Sequence, residues 1–462
     1  MFSTDLSYRF AGKLLLKKEI ALSEDVFQKH VSAGNFTSIP SIRRNFFGCQ
    51  CNRCGNRETA LFAKIPCQIC HSEHFYCRKC IEMGRVMECE PLYYWNGDQP
   101  VWPALYDPCS WQEELTISQQ HAADRITEAM NKKEKEILVW AVCGAGKTEM
   151  LFPGITNVLQ SGKRVCIATP RADVVRELLP RLRDAFAGTS IQGLYGGSEE
   201  KDKPAQLIIA TTHQLLRFRH AFDVLIIDEV DAFPYHADPA LPFATNRARK
   251  PSSTTIYLTA TPRKKQRLQM ATHKLSNVFV PVRFHGFPLP VPTMKLCRSL
   301  KKELAASRPP KELMKWLDHR SNAKRQLLLF VPTIALAEQL TGELNKRMHA
   351  LGWPTDKPIS FVHAVDPDRE KKVEQFRRQE IFMLLTTTIL ERGVTFPSVD
   401  VVILDAGHVV FDEAALVQIA GRAGRSPDDP TGEVLFLHDG KTNAMIEAVR
   451  SIVAMNKRGG FQ

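Results

Sequence analysis

Short apolar runs that alternate with helical patterns constrain the fold of this chain more than any other feature. The runs are rich in Val, Ile and Leu, and segments of helical periodicity separate them. This alternation is typical of a doubly wound parallel sheet, because strands covered on both faces are apolar throughout. One series runs EILVWAV, RVCIATP, QLIIATTHQ, DVLIIDEV and STTIYLTATP, and a second runs QLLLFVPTI, PISFVHAV, FMLLTTTIL, VDVVILDA and GEVLFLHDG. We therefore expect an α/β protein with two tandem domains, each a parallel sheet flanked by helices.

Composition sets the boundaries of the other segments. Near the N-terminus, LSEDVFQKHVSAG predicts a helix with Ser23 as its N-cap and Gly34 just past its end. A Cys-rich zone and an irregular Trp/Pro-rich connector follow, and the loop-like HGFPLPVPTMKLC separates the two series of strands. The predicted divisions are a partly helical segment at 1–48, a Cys-rich module with its connector at 49–112, the first α/β domain at 113–285, a linker at 286–300 and the second α/β domain at 301–462.

The bulk composition is that of a soluble protein with a basic surface. The 462 residues are 44% hydrophobic and 24% charged, and no apolar run is long enough to span a bilayer. The N-terminal sequence lacks the order of a cleaved signal, so we expect the cytoplasm, or the cytoplasmic face of a membrane reached through a partner. The formal net charge of +12 favours contact with nucleic acid, because Lys and Arg displace counterions from phosphates.

A Gly-rich turn, AVCGAGKT, follows the first predicted strand and is typical of a phosphate-binding loop. Ala141 stands where the full pattern has glycine. Lys147 can reach the β- and γ-phosphates of ATP, and Thr148 can bind Mg²⁺. Upstream, LTISQQ offers Gln119 for adenine, with Gln120 as a competitor. The predicted nucleotide-binding residues are Gln119, Cys143, Gly144, Ala145, Gly146, Lys147 and Thr148.

An acidic pair, Asp228 and Glu229, ends the buried strand DVLII about 80 residues after the loop. Asp228 is positioned to hold Mg²⁺, and Glu229 to orient or deprotonate the attacking water. An isolated pair of this kind is usually a solvated strand end. Its order after a phosphate loop, with strands between, makes nucleotide hydrolysis the stronger interpretation.

Other strand ends carry hydroxyls and free backbone amides suited to a sugar-phosphate backbone, although each could be an ordinary N-cap or turn. These are ATPR with Thr169 and Arg171, TTHQLLR with Thr212, and LTATP with Thr259 and Thr261.

In the second domain, QIAGRAGR places Gln418, Arg422 and Arg425 where they can reach the γ-phosphate from a neighbouring domain.

Seven of the twelve cysteines fall between Cys49 and Cys80, and without a secretion signal this clustering favours metal over disulfides. Two C-x₂-C pairs have the spacing of a tetrahedral zinc ribbon, and they predict a zinc site formed by Cys51, Cys54, Cys77 and Cys80.

A third pair, Cys67 and Cys70, exceeds what one ion can bind. The pair is spare, replaces an outer pair, or joins a second site that draws on Cys49, His71, His74 or Cys89. One zinc ion on the outer pairs is the favoured interpretation. Basic and aromatic residues around the cysteines could contact single-stranded DNA or simply be solvated.

Eight motifs in order over roughly 113–440 resemble those of superfamily 2 helicases and translocases: LTISQ, AVCGAGKT, TPR, TTHQLLR, IIDEVD, TATP, TTTILERGVTFP and QIAGRAGR. The resemblance implies two RecA-like domains, ATP in their cleft and a single strand bound across them. It also implies backbone contacts through Thr169, Arg171, Thr212 and Thr386.

A narrower resemblance, to the ComFA family of late-competence ATPases, rests on YCRKCIEMGRV, WAVCGAGKTEMLFPGI, RVCIATPRADVV and IIDEVDAFPY. It implies ATP-driven import of single-stranded DNA at the inner face of an uptake channel, with a ComFC-like partner of the phosphoribosyltransferase family. Self-association stays open. The rival interpretations are a duplex-unwinding repair or replication-restart helicase, and a zinc-dependent DNA-binding scaffold without catalysis.

Overall fold

The computed structural model describes residues 6–46, 48–199, 203–351, 357–392 and 396–461. It separates into two compact units. The first unit comprises Met1–Leu115, Gln120–Val139 and Thr148–Val278, and the second comprises Thr116–Gln119, Trp140–Lys147 and Phe279–Gln462. Among the described residues, no helix is both long and apolar enough to cross a bilayer.

The first unit begins with a small α+β region. Its elements are α1 (Leu6–Phe10), β1 (Leu14–Leu16), α2 (Glu24–Ser32), β2 (Phe36–Ile39), β3 (Ile42–Asn45), β4 (Gly48–Cys51), β5 (Phe62–Pro66), β6 (Glu73–Cys77), β7 (Val86–Met87) and β8 (Leu92–Trp95). They form three antiparallel sheets, β1-β8-β2, β3-β4 and β5-β6-β7. Ser23 occupies the N-cap of α2, and Gly34 follows its end with φ 77°.

The connector is not irregular throughout, because β8 is the central strand between β1 and β2. Strands from the N-terminal segment and from the connector thus form one sheet, although the Cys-rich module separates them in the sequence. Aromatic side chains pack in this region, with the rings of Phe36 and Trp95 5.2 Å apart. Strand β8 has only four residues, and both of its partner strands lie more than 50 residues upstream. No local sequence pattern therefore predicts it.

The first α/β domain has the predicted architecture. Its elements are α3 (Ile117–Asn131), β9 (Glu136–Ala141), α4 (Phe152–Gln160), β10 (Val165–Thr169), α5 (Ala172–Ala185), β11 (Ile191–Leu194), β12 (Leu207–Thr211), β13 (Phe222–Ile227), α6 (Ala240–Ala248), β14 (Arg249–Thr259), α7 (Lys264–Ala271) and β15 (Ser276–Val280). The seven-stranded sheet has the order β11-β12-β10-β13-β14-β9-β15. Every residue of β10 and β12 is buried, as expected for central parallel strands.

The second α/β domain confirms the repeat of the alternation. Its elements are β16 (Thr293–Leu296), α8 (Leu300–Ala305), α9 (Lys311–Asp318), β17 (Gln326–Phe330), α10 (Ile334–Leu351), β18 (Ile359–Val362), α11 (Arg369–Arg377), β19 (Met383–Thr386), β20 (Val399–Ile403), α12 (Glu413–Ala420), β21 (Val434–His438) and α13 (Asn443–Arg458). The sheet is parallel, with the order β16-β21-β20-β17-β19-β18.

The segment predicted as a linker, 286–300, contributes to this sheet. Strand β16 pairs with β21, from Thr293 beside Leu435 to Leu296 beside His438. It is an edge strand and none of its residues is buried. An exposed edge strand lacks the apolar run by which the other strands are recognised. For this reason the composition of the segment predicted a loop.

An ion-pair network lies at the base of the second sheet. The carboxylate of Asp400 on β20 is fully buried and accepts from Arg320 at 3.3 Å and Arg325 at 3.4 Å. Arg325 also binds both carboxylate oxygens of Asp429, at 2.7 and 2.6 Å. Burial raises the pKa of Asp400 more than the two guanidinium groups lower it. The second domain therefore buries the carboxylate of Asp400. The free-energy cost of burying this charge is offset only while its two arginine partners are present.

Candidate nucleotide and metal sites

The phosphate loop owes its shape to two glycines. Gly144 and Gly146 have φ values of 80° and 70°, in the left-handed region that favours glycine. Ala141 is the fully buried last residue of β9 and does not have a positive φ. Alanine therefore costs nothing there, and the departure from the glycine pattern has a structural explanation. Lys147 is half-buried and leads into the turn before α4, so the loop precedes a helix N-terminus as phosphate sites do.

The two candidate glutamines differ in their contacts. The Nε2 group of Gln119 donates to the carbonyl of Ala145 at 2.9 Å, and its Oε1 accepts from the N–H of Thr116 at 2.8 Å. Gln120 instead donates to Asp124 on the exposed side of α3. Gln119 is thus the glutamine that contacts the phosphate loop, and its role toward adenine stays a prediction.

The loop also contacts the QIAGRAGR segment within the second unit. The thiol of Cys143 donates to Oε1 of Gln418 at 3.1 Å. A methyl group on Gly421 would lie 2.5 Å from Cβ of Cys143, so the backbones approach as closely as a glycine permits. Arg422 is buried, and its Nε donates to the carbonyl of Glu391 at 3.0 Å. The structure thus places Gln418 at the phosphate loop and turns the Nε of Arg422 toward Glu391.

Arg283 is a site residue that the sequence did not reveal. Its side chain is 1% exposed and donates to the carbonyls of Gly424 at 2.5 Å, Ala423 at 2.9 Å and Gly421 at 3.4 Å. Burial, with a smaller contribution from the charge of Arg425, lowers the pKa of Arg283 to about 10. Three carbonyls on one guanidinium fix the turn that carries Arg425. Arg283 is a single arginine in VRFHGF, and no sequence motif there predicts that it fixes this turn.

The acidic pair has a specific backbone geometry. The N–H of Asp228 donates to the carbonyl of Ala168 at 2.8 Å, and the N–H of Glu229 donates to Oδ1 of Asp228 at 2.9 Å. Glu229 has φ 53°, a left-handed conformation that costs a non-glycine residue on the order of 1 kcal/mol. Both residues are half-buried at the carboxyl end of β13. Strain at the end of a central strand is typical of functional positions.

Asp231, two residues further on, was also missed. It is 1% exposed, and its carboxylate accepts from the hydroxyls of Thr259 at 2.5 Å and Thr261 at 2.6 Å. Arg263 donates to its carbonyl at 2.8 Å. The LTATP hydroxyls, which the sequence assigned to a nucleic-acid backbone, are therefore engaged by Asp231. The signal lay in the sequence as DEVD and TAT, but pairing them requires β13 and β14 to be adjacent.

The structure also defines the surroundings of the other residues predicted to contact DNA. The side chains of Thr169, Thr212 and Thr386 are fully buried, because each lies at or just after the end of a central strand. The hydroxyl of Thr386 donates to the carbonyl of Thr387 at 3.2 Å. Arg171 is half-buried and pairs with Asp173 at 3.2 Å. The three threonines are buried in this conformation, and their contact with DNA stays a prediction. Residues 393–395 of TTTILERGVTFP lie outside the described residues.

The four cysteines predicted to bind zinc converge. The Sγ atoms of Cys51, Cys54, Cys77 and Cys80 all lie within 4.8 Å of one another, and all four residues are buried. Two of the separations are 3.8 Å, between Cys51 and Cys80, and 3.6 Å, between Cys54 and Cys77. A tetrahedral ion with Zn–S bonds of about 2.3 Å requires sulfur separations of about 3.8 Å. The donor set therefore fits zinc.

The cysteine module is joined to the first α/β domain and is not a separate arm. Arg247 on α6 donates to the carbonyls of Asn52 and Arg53 inside the first C-x₂-C turn, and burial lowers the pKa of Arg247 to about 10. Lys79 pairs with Asp238 at 2.7 Å. The four cysteines belong to the same apolar core as β10, β12 and β13. Binding of a metal by these cysteines would therefore be coupled to the folding of this domain.

Two parallel-sheet domains with a phosphate loop and a strand-end acidic pair define a helicase-type ATPase. Family models agree: the helicase conserved C-terminal domain matches residues 309–427, the res subunit of type III restriction enzymes matches 112–264, and the N-terminal domain of competence protein ComFA matches 1–94. The chain is 44% identical to competence protein ComFA of Bacillus subtilis, over 99% of this chain and 96% of that protein. It is 39% identical to ComFA of Streptococcus pneumoniae, over 86% and 92%. The chain belongs to the ComFA family.

Solved structures are similar to this chain in fold alone. S. cerevisiae Dbp5 bound to RNA and ADP BeF3, in a variant form, is 18% identical with a TM-score of 0.52, covering 75% of this chain and 92% of that one. The DEAD-box helicase Mss116 bound to ssRNA and UDP-BeF is 16% identical with a TM-score of 0.54, covering 75% and 83%. The two RecA-like domains are thereby confirmed.

Proposed function

We propose that the protein is a DNA-stimulated ATPase that moves along single-stranded DNA and drives import of transforming DNA across the cytoplasmic membrane. The observation that carries the proposal is the joint presence of a helicase-type ATP site and membership of a family named for competence. The net charge of +12 adds a surface suited to a polyanion. ATP and Mg²⁺ would be the cofactors of the motor, and zinc that of the cysteine module.

Each residue of the ATP site has a distinct role in this proposal. Lys147 and Thr148 bind phosphate and Mg²⁺, Asp228 holds the ion's hydration shell, and Glu229 activates water. Gln418, Arg422 and Arg425 respond to the γ-phosphate. Cys143 and Gln418 are hydrogen-bonded. A change in the conformation of the phosphate loop on hydrolysis therefore acts directly on the QIAGRAGR segment. That contact provides a physical route from chemistry to movement.

ATPase rates with no nucleic acid, single-stranded DNA, duplex DNA and RNA test the substrate class. We expect single-stranded DNA to stimulate most. Lys147→Ala and Glu229→Gln should reduce hydrolysis to background without unfolding the protein, and Lys274→Ala, at an exposed lysine, should change nothing. Equal stimulation by RNA, or no stimulation by DNA, would contradict the proposal.

Translocation is separated from unwinding by two further assays. Movement along a single strand should displace streptavidin from a biotinylated end in an ATP-dependent manner. A tailed duplex should stay paired. Release of the paired strand would instead support the repair-type helicase, and hydrolysis at background in the unmodified protein would support the scaffold.

The cellular part of the proposal concerns place and partners. We infer a peripheral position at the inner face of the cytoplasmic membrane, next to a DNA-uptake channel and a ComFC-like phosphoribosyltransferase-family protein. In the source organism, Glu229→Gln should lower transformation frequency while DNA still binds the cell surface. Normal transformation with an inactive ATPase would refute the role in import.

A further inference from the structure

The hairpin turn between β5 and β6 carries a second group of thiols that the proposed function does not use. The Sγ atoms of Cys67, Cys70 and Cys89 lie within 4.8 Å of one another. They form a group separate from the four-cysteine cluster, so the inner C-x₂-C pair does not replace an outer one. Three cysteines gathered from two distant segments are the donors that Zn²⁺ prefers.

The first C-x₂-C turn of the four-cysteine cluster has a distinctive backbone. The N–H of Gly55 donates to the carbonyl of Cys51 at 2.8 Å, and the N–H of Cys51 donates to the carbonyl of Asn56 at 3.0 Å. Gly55 has φ 74°. This closed turn points two thiols toward one position.

The turn at Cys67 repeats this backbone at every point. The N–H of His71 donates to the carbonyl of Cys67 at 3.0 Å, and the N–H of Cys67 donates to the carbonyl of Ser72 at 2.9 Å. His71 has φ 54° although it is not glycine. The backbone N–H groups of Ile69 and Cys70 also donate to the sulfur of Cys67. A left-handed histidine costs on the order of 1 kcal/mol, so the turn keeps a ligand-presenting shape against a local preference.

Strand register brings the third thiol to this turn. The N–H of Glu88 donates to the carbonyl of Phe75 at 2.9 Å and so extends the pairing of β6 and β7 by one residue. The next residue, Cys89, then comes beside His74. The sheet itself therefore holds Cys89 at the hairpin end, independently of any metal.

His74 lies beside these thiols, but its ring nitrogens are not within 4.8 Å of all three. Its Nε2 lies 3.1 Å from Sγ of Cys70, while its Nδ1 lies 3.9 Å from a carboxylate oxygen of Glu88. Histidine ligands commonly have a carboxylate at the nitrogen that does not bind the metal, which fixes the orientation of the ring. We propose that Cys67, Cys70 and Cys89 bind a second zinc ion, and that a rotation of the His74 side chain brings its Nε2 in as the fourth ligand.

The two sites differ in access to solvent. All four residues of the first cluster are buried, whereas in the second Cys70 is exposed and Cys89 half-buried. The second ion should therefore exchange faster and leave first when a chelator is added. The inference does not depend on ATP hydrolysis or DNA binding.

Metal counting tests the proposal. The full-length protein, reduced and under anaerobic conditions, is reconstituted with excess Zn²⁺, desalted and analysed for bound metal. We expect two zinc ions per chain, one in Cys67→Ser/Cys70→Ser, and two in Cys49→Ser, whose half-buried thiol lies in the same module outside both groups. One ion in the unmodified protein, or two in the double variant, would overturn the proposal.

Cobalt spectroscopy distinguishes loss of the second site from loss of the fold. Co²⁺ bound by the four-cysteine cluster should give the same spectrum in Cys67→Ser/Cys70→Ser as in the unmodified protein after subtraction of the second ion. His74→Gln should shift the d–d bands of the second ion to longer wavelength, since imidazole is a stronger-field ligand than its replacement. If the double variant binds no metal at all, the His74→Gln spectrum decides, and an unchanged spectrum refutes the assigned ligand set.

Discussion

Replacing Asp231 with alanine tests whether the acidic loop is held by the strand beside it. The carboxylate is 1% exposed and accepts hydroxyl hydrogen bonds from Thr259 and Thr261. A hydrogen bond to a charged group contributes about 1.5–3 kcal/mol, and alanine leaves both hydroxyls without this acceptor. Neighbouring bonds do not add fully, so we expect a loss of about 2–5 kcal/mol in the free energy of unfolding.

Thermal unfolding of the full chain measures this loss. For a domain of this size 1 kcal/mol shifts Tm by about 2–4 °C, so the transition of the first unit should fall by about 5–15 °C. Asp184→Ala, at an exposed aspartate, should shift Tm by less than about 2 °C. Thr259→Val/Thr261→Val should be destabilised as well, and adding Asp231→Ala to it should cost little more because the bonds are shared.

The same variant bears on catalysis because Asp231 lies two residues after Glu229. A misplacement of about 1 Å near a reacting group can lower a rate by about 100-fold, so ATPase should fall by about 10- to 100-fold while nucleotide still binds. An Asp231→Ala protein with unchanged Tm and unchanged ATPase would refute the reasoning. Loss of stability with full ATPase would limit Asp231 to a structural role.

Three further predictions concern other parts of the chain. Gly55 has φ 74°, and a methyl group at this position would lie 2.7 Å from an aromatic carbon. Gly55→Ala should therefore lower the free energy of unfolding by about 2–4 kcal/mol and release zinc, as measured by Tm and metal content. Burial raises the pKa of Asp429, but its hydrogen bonds and the charge of Arg325 lower this pKa by more. The net pKa of Asp429 therefore lies below its ordinary value. The stabilisation by Asp429 is therefore full above about pH 4 and is lost as pH falls through the lower folded-state pKa, so acid titration of Tm should be steeper than in Asp429→Asn. Chelator treatment should remove metal in two phases, and the fast phase should be missing in the double variant of the hairpin thiols; a single phase in the unmodified protein would contradict two sites of different exposure.

Much of the fold could be predicted because its signals are local. Buried parallel strands are apolar on both faces, so the ten runs stand out in the sequence and all occur as strands. The strands outside these runs include β11 and β15, which form the two edges of the first sheet, and also β8 and β16. β8 is four residues long between distant partners, and β16 is an exposed edge.

The candidate sites divide in the same way. The phosphate loop, the acidic pair and the outer C-x₂-C pairs are encoded by spacing over a few residues, because a turn or a strand end presents them together. By contrast, the roles of Arg283 and Asp231 depend on contacts with residues about 140 and 30 positions away. The burial of Thr169, Thr212 and Thr386 likewise follows from how deep each strand end lies in its sheet.

The sequence by itself determined the alternation of strands and helices, the ATP-binding motifs and the two C-x₂-C pairs of the four-cysteine cluster, since each is a property of neighbouring residues. Only the tertiary structure decided that Cys89 meets Cys67 and Cys70, that the LTATP hydroxyls serve Asp231, and that the cysteine module shares a core with the first domain. Those outcomes depend on strand register and sheet order, which bring together residues that no local pattern connects.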